Sequence, residues 1–183
     1  MFCPNHGSLM DPFVLIVLSK NPIVFVGKQE LVKIPIFGFF YKRAVIMVDR
    51  SSSKSRFEVY NRARKVIDKG YSICIFPEKE YLDETLLLNP FKRGAFKLAI
   101  EHKLPLFPMV FLDCKRKFPW YTTHGYSGSL RVKALDLIET RGMTEADIHP
   151  LTERMHQEIK SELLADPKQN AVNAIAVWKK RTA

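Results

Sequence analysis

The feature that most constrains the fold is a regular alternation of short apolar runs with longer segments of helical periodicity. The apolar runs, which we interpret as buried strands, lie at 23–26, 44–48, 71–76 and 106–112, and we predict a further strand at 130–138, where apolar and charged residues are mixed. The segments with helical spacing lie at 8–20, 54–69, 93–102 and 144–164. Alternation of this kind is typical of strands that run parallel and are joined by helices. We therefore predict an α/β protein with a mostly parallel, mixed central sheet covered by helices.

Length and composition predict one folded domain. The 183 residues are enough for a single core, and 46% hydrophobic with 26% charged residues is typical of a globular protein. No internal repeat or linker interrupts the chain. We expect the domain to span 1–167 and to end at Asp166-Pro167, with 168–183 as a tail, either an amphipathic helix or disordered. The three cysteines are irregularly spaced, which favours free thiols over disulfides or a metal site.

A histidine and an aspartate near the start of the chain suggest a catalytic base. His6 and Asp11 would point away from each other on one continuous helix. If His6 lies in a loop and Asp11 in the first turn of the following helix, the carboxylate can reach one imidazole nitrogen. Ser8 is a plausible cap for that helix. An imidazole held in this way can act as a general base; the alternative is a chance histidine, with Asp11 serving only the helix dipole.

Three polar residues each come within two residues of the end of a predicted strand: His6, after a short strand that Pro4 ends, Arg50 and Glu78. In sheets of this class, functional groups gather on loops beyond the carboxyl ends of the strands. The sequence therefore predicts a base, a cation and a carboxylate at one sheet edge. The alternatives are an ion pair for Arg50 and a helix or loop cap for Glu78.

A net charge of +10 calls for an acidic partner. No nucleic-acid-binding motif is present, so we expect no nucleic acid partner. Aromatic and cationic residues are mixed at 37–43, 115–121 and 178–181, which suits an anionic membrane surface; the alternative is solvated charge beside core aromatics. The longest apolar runs are too short for a membrane span, and the start does not read as a signal peptide.

Four ordered blocks of sequence resemble those of the glycerolipid acyltransferases, the lysophosphatidic acid acyltransferases and their relatives. The first block is Asn5-His6 with Asp11, and the others lie at 44–50 (AVIMVDR), 75–78 (IFPE) and 104–111 (LPLFPMVF). Smaller matches lie within 28–38 and at 91–96 (FKRGAF). Together they cover roughly residues 3–115.

The resemblance implies an O-acyltransferase of phospholipid biosynthesis that moves a fatty acyl group from a thioester to a lysophospholipid hydroxyl. The acceptor expected first is 1-acylglycerol-3-phosphate, which would give phosphatidic acid. His6 would be the base, Asp11 would orient it, and Arg50 and Glu78 would bind the acceptor, the arginine through its phosphate. Acyl-CoA or acyl carrier protein would serve as co-substrate, with no metal and no bound cofactor. We expect a membrane-associated protein at the cytoplasmic face of the inner membrane.

The third block departs from the family pattern. The family continues after Phe-Pro-Glu with Gly-Thr-Arg or Gly-Thr-Ser, whereas this chain has Lys79-Glu80-Tyr81. Lys79 or Lys92 would then have to supply the missing cation. The change leaves two alternatives open: acylation of another lyso-lipid, such as an amino-acid-containing one, and a non-catalytic, basic membrane-binding domain. Family members usually carry an N-terminal membrane-seating segment before the first block, so we also expect this chain to be an N-terminally shortened form.

Overall fold

The computed structural model describes residues 1–28, 32–33, 37–48, 53–78, 86–120 and 125–168. Its strands are β1 (Phe2–Pro4), β2 (Ile23–Lys28), β3 (Val45–Val48), β4 (Ser72–Cys74), β5 (Phe107–Phe111) and β6 (Val132–Ala134). Its helices are α1 (Asp11–Leu18), α2 (Phe37–Ala44), α3 (Ser53–Ile67), α4 (Gly94–Glu101), α5 (Cys114–Lys117) and α6 (Ile148–Ala165). A 3-10 turn at Glu145–Asp147 leads into α6. The strands form a mixed sheet, and the chain divides into two compact units.

The first unit, residues 1–2 and 19–75, is built on parallel strands. β2 lies between β3 and β4 and pairs in parallel with both, while Phe2 of β1 pairs with Cys74 of β4. Helix α3 packs on β3 and β4. It buries Val59 and Ala63, which lie four residues apart on one helical face. These strands therefore obtain apolar cover from a helix whose other residues are mostly polar or charged.

The second unit, residues 3–18 and 76–183, contains the remainder of β1 with β5 and β6. β5 lies between β1 and β6, and β6 runs antiparallel to β5. Helix α6 packs on both β5 and α4. Its buried apolar residues recur at intervals of three or four, the spacing of one helical face: Ile148, Leu151, Met155, Ile159 and Leu163.

An ion-pair network ties together three parts of the second unit. The side chain of Arg131, just before β6, donates two hydrogen bonds to Asp113 at the start of α5 and two to Asp166 at the end of α6, all of 2.7–2.8 Å. Arg116 adds a bond of 2.5 Å to Asp113. Burial alone would raise the pKa of Asp113, but the hydrogen bonds from Arg131 and Arg116 outweigh it and hold that pKa well below its usual range. The network therefore fixes the end of α6 to the loop that follows β5.

The predicted fold class is confirmed: a mixed sheet of six strands flanked by helices. The end of α6 before Asp166-Pro167 also agrees with the sequence, while the predicted tail from 169 onward lies outside the described residues. Helices α2 and α5 were not predicted. Ala44, predicted as the first residue of a strand, is instead the last residue of α2, because α2 runs into β3 with no polar turn to mark the boundary. None of the helices in the described ranges is long and apolar enough to cross a membrane.

Candidate active site

The structure brings His6 and Asp11 together in the second unit. His6 Nδ1 lies 2.9 Å from Asp11 Oδ2, and the same oxygen accepts the backbone N–H groups of Gly7 (2.8 Å) and Ser8 (2.9 Å). Asp11 is fully buried and His6 is mostly buried. Helix α1 begins at Asp11, three residues later than predicted, because residues 8–10 form a tight turn around the carboxylate. The contact expected from the sequence is therefore present, with the imidazole in the loop and the carboxylate at the helix start.

Glu78 holds the backbone of the histidine loop. One carboxylate oxygen accepts the N–H of His6 at 2.6 Å, and the other accepts the N–H of Asn89 at 2.8 Å. The side chain is 2% exposed, and burial raises the pKa of its carboxyl although both N–H groups oppose that rise. Of the two interpretations left open by the sequence, these contacts favour a loop cap. They leave both oxygens of Glu78 engaged by the protein's own backbone.

The imidazole ring of His6 stacks on Phe76. The two ring centroids are 3.9 Å apart and the planes are inclined by 19°. Stacking on one face and the hydrogen bond to Asp11 at one edge fix the plane of the imidazole. Because Asp11 binds Nδ1, any proton exchange between this ring and a substrate would have to use the second ring nitrogen, Nε2.

Asn5 anchors the start of the loop to the sheet. Its side-chain carbonyl accepts the N–H of Phe111 at 2.7 Å, and its amide donates to the carbonyl of Phe111 at 3.2 Å. This pair of bonds imitates the pairing of a further strand residue beside the end of β5. The main chain can therefore leave the sheet at His6 without leaving the end of β5 unpaired.

Ser8 is engaged as a structural residue. Its hydroxyl donates to the carbonyl of Phe118 at 2.5 Å and accepts the N–H of Met10 at 3.1 Å, and the residue is fully buried. A hydroxyl in these contacts is poorly placed to attack a substrate. The contacts favour a structural role over a nucleophile, but not the predicted helix cap, because Ser8 binds the N–H of Met10 in the turn before α1, which begins at Asp11.

The predicted acceptor-binding residues are only partly described. Arg50 and Lys79 lie outside the described residues. Lys92 has an exposed side chain, and its backbone N–H donates to the carbonyl of Pro77 at 2.8 Å. The backbone of Lys92 therefore lies beside the turn that carries Glu78.

Sequence reasoning missed three residues that shape the site. Asn89 shares Glu78 with His6, and Lys115 packs its side-chain stem on Gly7 while donating from Nζ to the carbonyl of Leu86. Phe76 was part of a recognised block but was given no role. A Cβ at Gly7 would lie 2.9 Å from Lys115 Cβ, so only glycine fits there without displacement. Pairings this distant along the chain leave no local pattern in a sequence.

In the described ranges, no three His, Cys, Asp or Glu side chains converge as a metal site requires. The three cysteines are buried free thiols, as expected. Burial raises the pKa of Cys3 and Cys114, and the nearby charge of Asp11 contributes to the rise at Cys114.

Comparison with known proteins agrees with this geometry. The sequence model described as Acyltransferase matches residues 1–112. Human 1-acyl-sn-glycerol-3-phosphate acyltransferase beta is 29% identical over 93% of this chain and 63% of its own length. The coconut (Cocos nucifera) 1-acyl-sn-glycerol-3-phosphate acyltransferase is 31% identical over 83% of this chain and 50% of its own length.

The fold also has a solved counterpart. The crystal structure of the 1-acyl-sn-glycerophosphate (LPA) acyltransferase PlsC from Thermotoga maritima superposes with a TM-score of 0.70 at 21% identity, covering 90% of this chain and 66% of that one. The chain thus spans between half and two thirds of the length of these relatives. With the family model matching more than half of its residues, the chain belongs to the acyltransferase family.

Proposed function

We propose that the protein transfers a fatty acyl group from a thioester to the hydroxyl of a lysophospholipid, with 1-acylglycerol-3-phosphate as the acceptor expected first. The observation that carries the proposal is the His6–Asp11 pair, with Nδ1 and Oδ2 2.9 Å apart in a loop anchored by Asn5, Glu78 and Phe76. Preorganised groups of this kind lower a barrier because no reorganisation is needed when the reaction occurs.

The proposed reaction is a direct transfer. His6 Nε2 takes the proton of the acceptor hydroxyl as its oxygen attacks the thioester carbonyl, and Asp11 stabilises the imidazolium that forms. When the tetrahedral intermediate collapses, the carbon–sulfur bond breaks and the imidazolium returns the proton to the thiolate. The products are an ester and a free thiol. Ser8 is not an acyl carrier in this scheme because its hydroxyl is bound to Phe118.

An acceptor phosphate would need cationic side chains to bind it, and these must come from residues other than the acidic Glu78. Lys92 is exposed beside the Pro77–Glu78 turn and supports such a site. Arg50 and Lys79 stay predictions from the resemblance, in which a guanidinium would contact the phosphate. We expect Lys92→Ala to raise the KM for a phosphate-bearing acceptor several-fold and to leave kcat nearly unchanged; an unaltered KM would remove Lys92 from the site.

A membrane surface is the proposed location, at the cytoplasmic face of the inner membrane. The cluster at 37–43 supports it in part, because Phe39 is half exposed with the Arg43 guanidinium 3.7 Å from its ring centroid. The cluster at 115–121 supports it less. Lys117 is buried and donates to the carbonyl of Ser127, and Arg116 is bound to Asp113. The cluster at 178–181 lies outside the described residues.

The test is thiol release from acyl-CoA and from acylated acyl carrier protein against a panel of lyso-lipids. Turnover on lysophosphatidic acid that His6→Ala abolishes would support the proposal. Turnover on another lyso-lipid alone would keep the mechanism and replace the acceptor, an alternative favoured by Lys79-Glu80-Tyr81 in the third block. Folded, membrane-bound protein with no turnover on any acceptor would favour the non-catalytic binding domain.

A further inference from the structure

Helix α1 presents an apolar face to solvent. Asp11 and Leu15, one turn apart, form its buried stripe. Phe13, Ile16 and Val17 lie on the opposite side, given about 100° of rotation per residue. They are 54%, 55% and 84% exposed. The helix therefore has a buried stripe on one side and an exposed apolar face on the opposite side.

The surroundings of this face are unusual for a solvated surface. Leu9, in the turn before the helix, is also mostly exposed, and the residues between it and Lys20 include a single acidic side chain, the buried Asp11. A helix that is apolar all round is normally buried on all sides or lies in a lipid environment. An exposed cation, Lys20, follows the end of the helix.

We propose that α1 lies on the surface of a lipid bilayer, with Phe13, Ile16 and Val17 inserted among the acyl chains. Eight residues make a helix about 12 Å long, much shorter than the ~30 Å hydrocarbon core, so it can lie in the interface but cannot span it. Lys20 and the net charge of +10 complement an anionic headgroup layer. A bilayer is favoured over a protein partner because no exposed polar side chain between Leu9 and Leu18 offers the hydrogen-bonding rim of a protein interface.

The position of the face beside the site gives it a role in catalysis. The first residue of α1 is Asp11, which binds the proposed base His6, and the first inserted residue, Phe13, lies within one helical turn of Asp11. This step rests on the proposed function. A lysophospholipid carries its hydroxyl at headgroup depth, directly above its acyl chain. Docking through α1 would set His6 at the depth of that hydroxyl, without extraction of the lipid from the membrane.

The test is a vesicle flotation assay with Ile16→Gln/Val17→Gln. The matched control is Leu137→Gln/Leu164→Gln, which changes two comparably exposed apolar residues elsewhere in the second unit. Vesicles of phosphatidylcholine with phosphatidylglycerol, free of substrate, measure binding. Turnover is measured separately on vesicle-embedded lysophosphatidic acid and on a short-chain acceptor below its critical micelle concentration. Thermal melting verifies that each variant is folded.

We expect the α1 variant to bind vesicles about tenfold more weakly than wild type and the control to bind normally. The α1 variant should lose turnover on the embedded acceptor and keep it on the short-chain one. Unchanged vesicle binding would overturn the proposal, as would a wild-type dimer that the α1 variant makes monomeric with no effect on vesicle binding. If no protein turns over any acceptor, the proposed function fails, yet the flotation result still decides the docking surface.

Discussion

Replacing Asp11 with asparagine separates the charge of this residue from its geometry. Oδ2 accepts three N–H groups, from His6, Gly7 and Ser8, whereas the buried Oδ1 has no hydrogen-bond partner. The asparagine oxygen must therefore take the Oδ2 position, because an amide NH2 there would face three donors. The His6 ring keeps its acceptor and its tautomer. What is lost is the negative charge beside the imidazolium.

The size of the effect follows from these contacts. A carboxylate at hydrogen-bond distance stabilises an adjacent cation by about 1.4–4 kcal/mol relative to a neutral group, which corresponds to a roughly 10- to 1000-fold loss in kcat. The asparagine NH2 enters the unpartnered Oδ1 position, and an unsatisfied buried donor costs about 1–3 kcal/mol of folding stability. That cost should lower Tm by roughly 2–12 °C for a chain of this size.

The assay is steady-state thiol release with acyl-CoA and lysophosphatidic acid, together with thermal melts. The thiol reagent should meet little background from the protein, since all three cysteines are buried. His6→Ala is the control: once the imidazole is gone, adding Asp11→Asn should cost no further rate, because the two residues act as one unit. A kcat within about threefold of wild type, from folded Asp11→Asn protein, would refute the role assigned to the pair.

Two further predictions test residues that hold the His6 loop, and a third tests the ion pairs of Asp113. Glu78→Gln sets an amide NH2 against a backbone N–H of His6 or Asn89, so kcat should fall by about 10- to 100-fold while the acceptor KM changes little; a rise in KM alone would instead mark acceptor binding. Ser8→Ala should lower the free energy of unfolding in urea by about 1–2 kcal/mol and leave turnover, which a nucleophile could not do. Because folding lowers the pKa of Asp113, the unfolded chain binds a proton at this carboxyl at a higher pH than the folded chain does. Its stabilisation is therefore fully present above about pH 4 and is lost progressively as the pH falls further, so wild type should be more stable in urea than Asp113→Asn at pH 7, and the difference should shrink steadily between about pH 4 and pH 2.

The layered fold could be predicted from the sequence because most of its strands lie in apolar runs and its longer helices have residues of one face buried at helical spacing. Hydrophobic periodicity did not locate element boundaries where a helix passes into a strand without a polar turn between them. Helix α2 was missed because it runs directly into β3. Its Phe39 is exposed, so the apolar residues of this helix do not mark a buried face. Helix α5 is four residues of CKRK, a composition typical of a solvated loop. Its helical form depends on a distant partner, Arg131, which binds Asp113 immediately before it.

The candidate site could likewise be predicted only in part. The His6–Asp11 contact could be anticipated because its partners are five residues apart and the turn between them has its own signals. The supports of His6 could not, since Glu78 lies 72 residues further along the chain. Nor does composition indicate whether a buried glutamate will bind a ligand or cap a loop. That choice depended on which backbone N–H groups the folded chain brought to its two oxygens.

The commitment of Nδ1 to Asp11 has a consequence for the order of events in turnover. In the proposed reaction, a single ring edge would receive the proton from one substrate and deliver it to the other, because stacking on Phe76 holds the ring against rotation. Under the proposed direct transfer, the thioester sulfur and the acceptor oxygen must both come within reach of Nε2 at once. Ser8 would not carry the acyl group as a covalent intermediate, because its hydroxyl is bound to the carbonyl of Phe118. The enzyme should therefore follow sequential kinetics, with double-reciprocal lines that intersect, and neither substrate alone should leave the protein acylated.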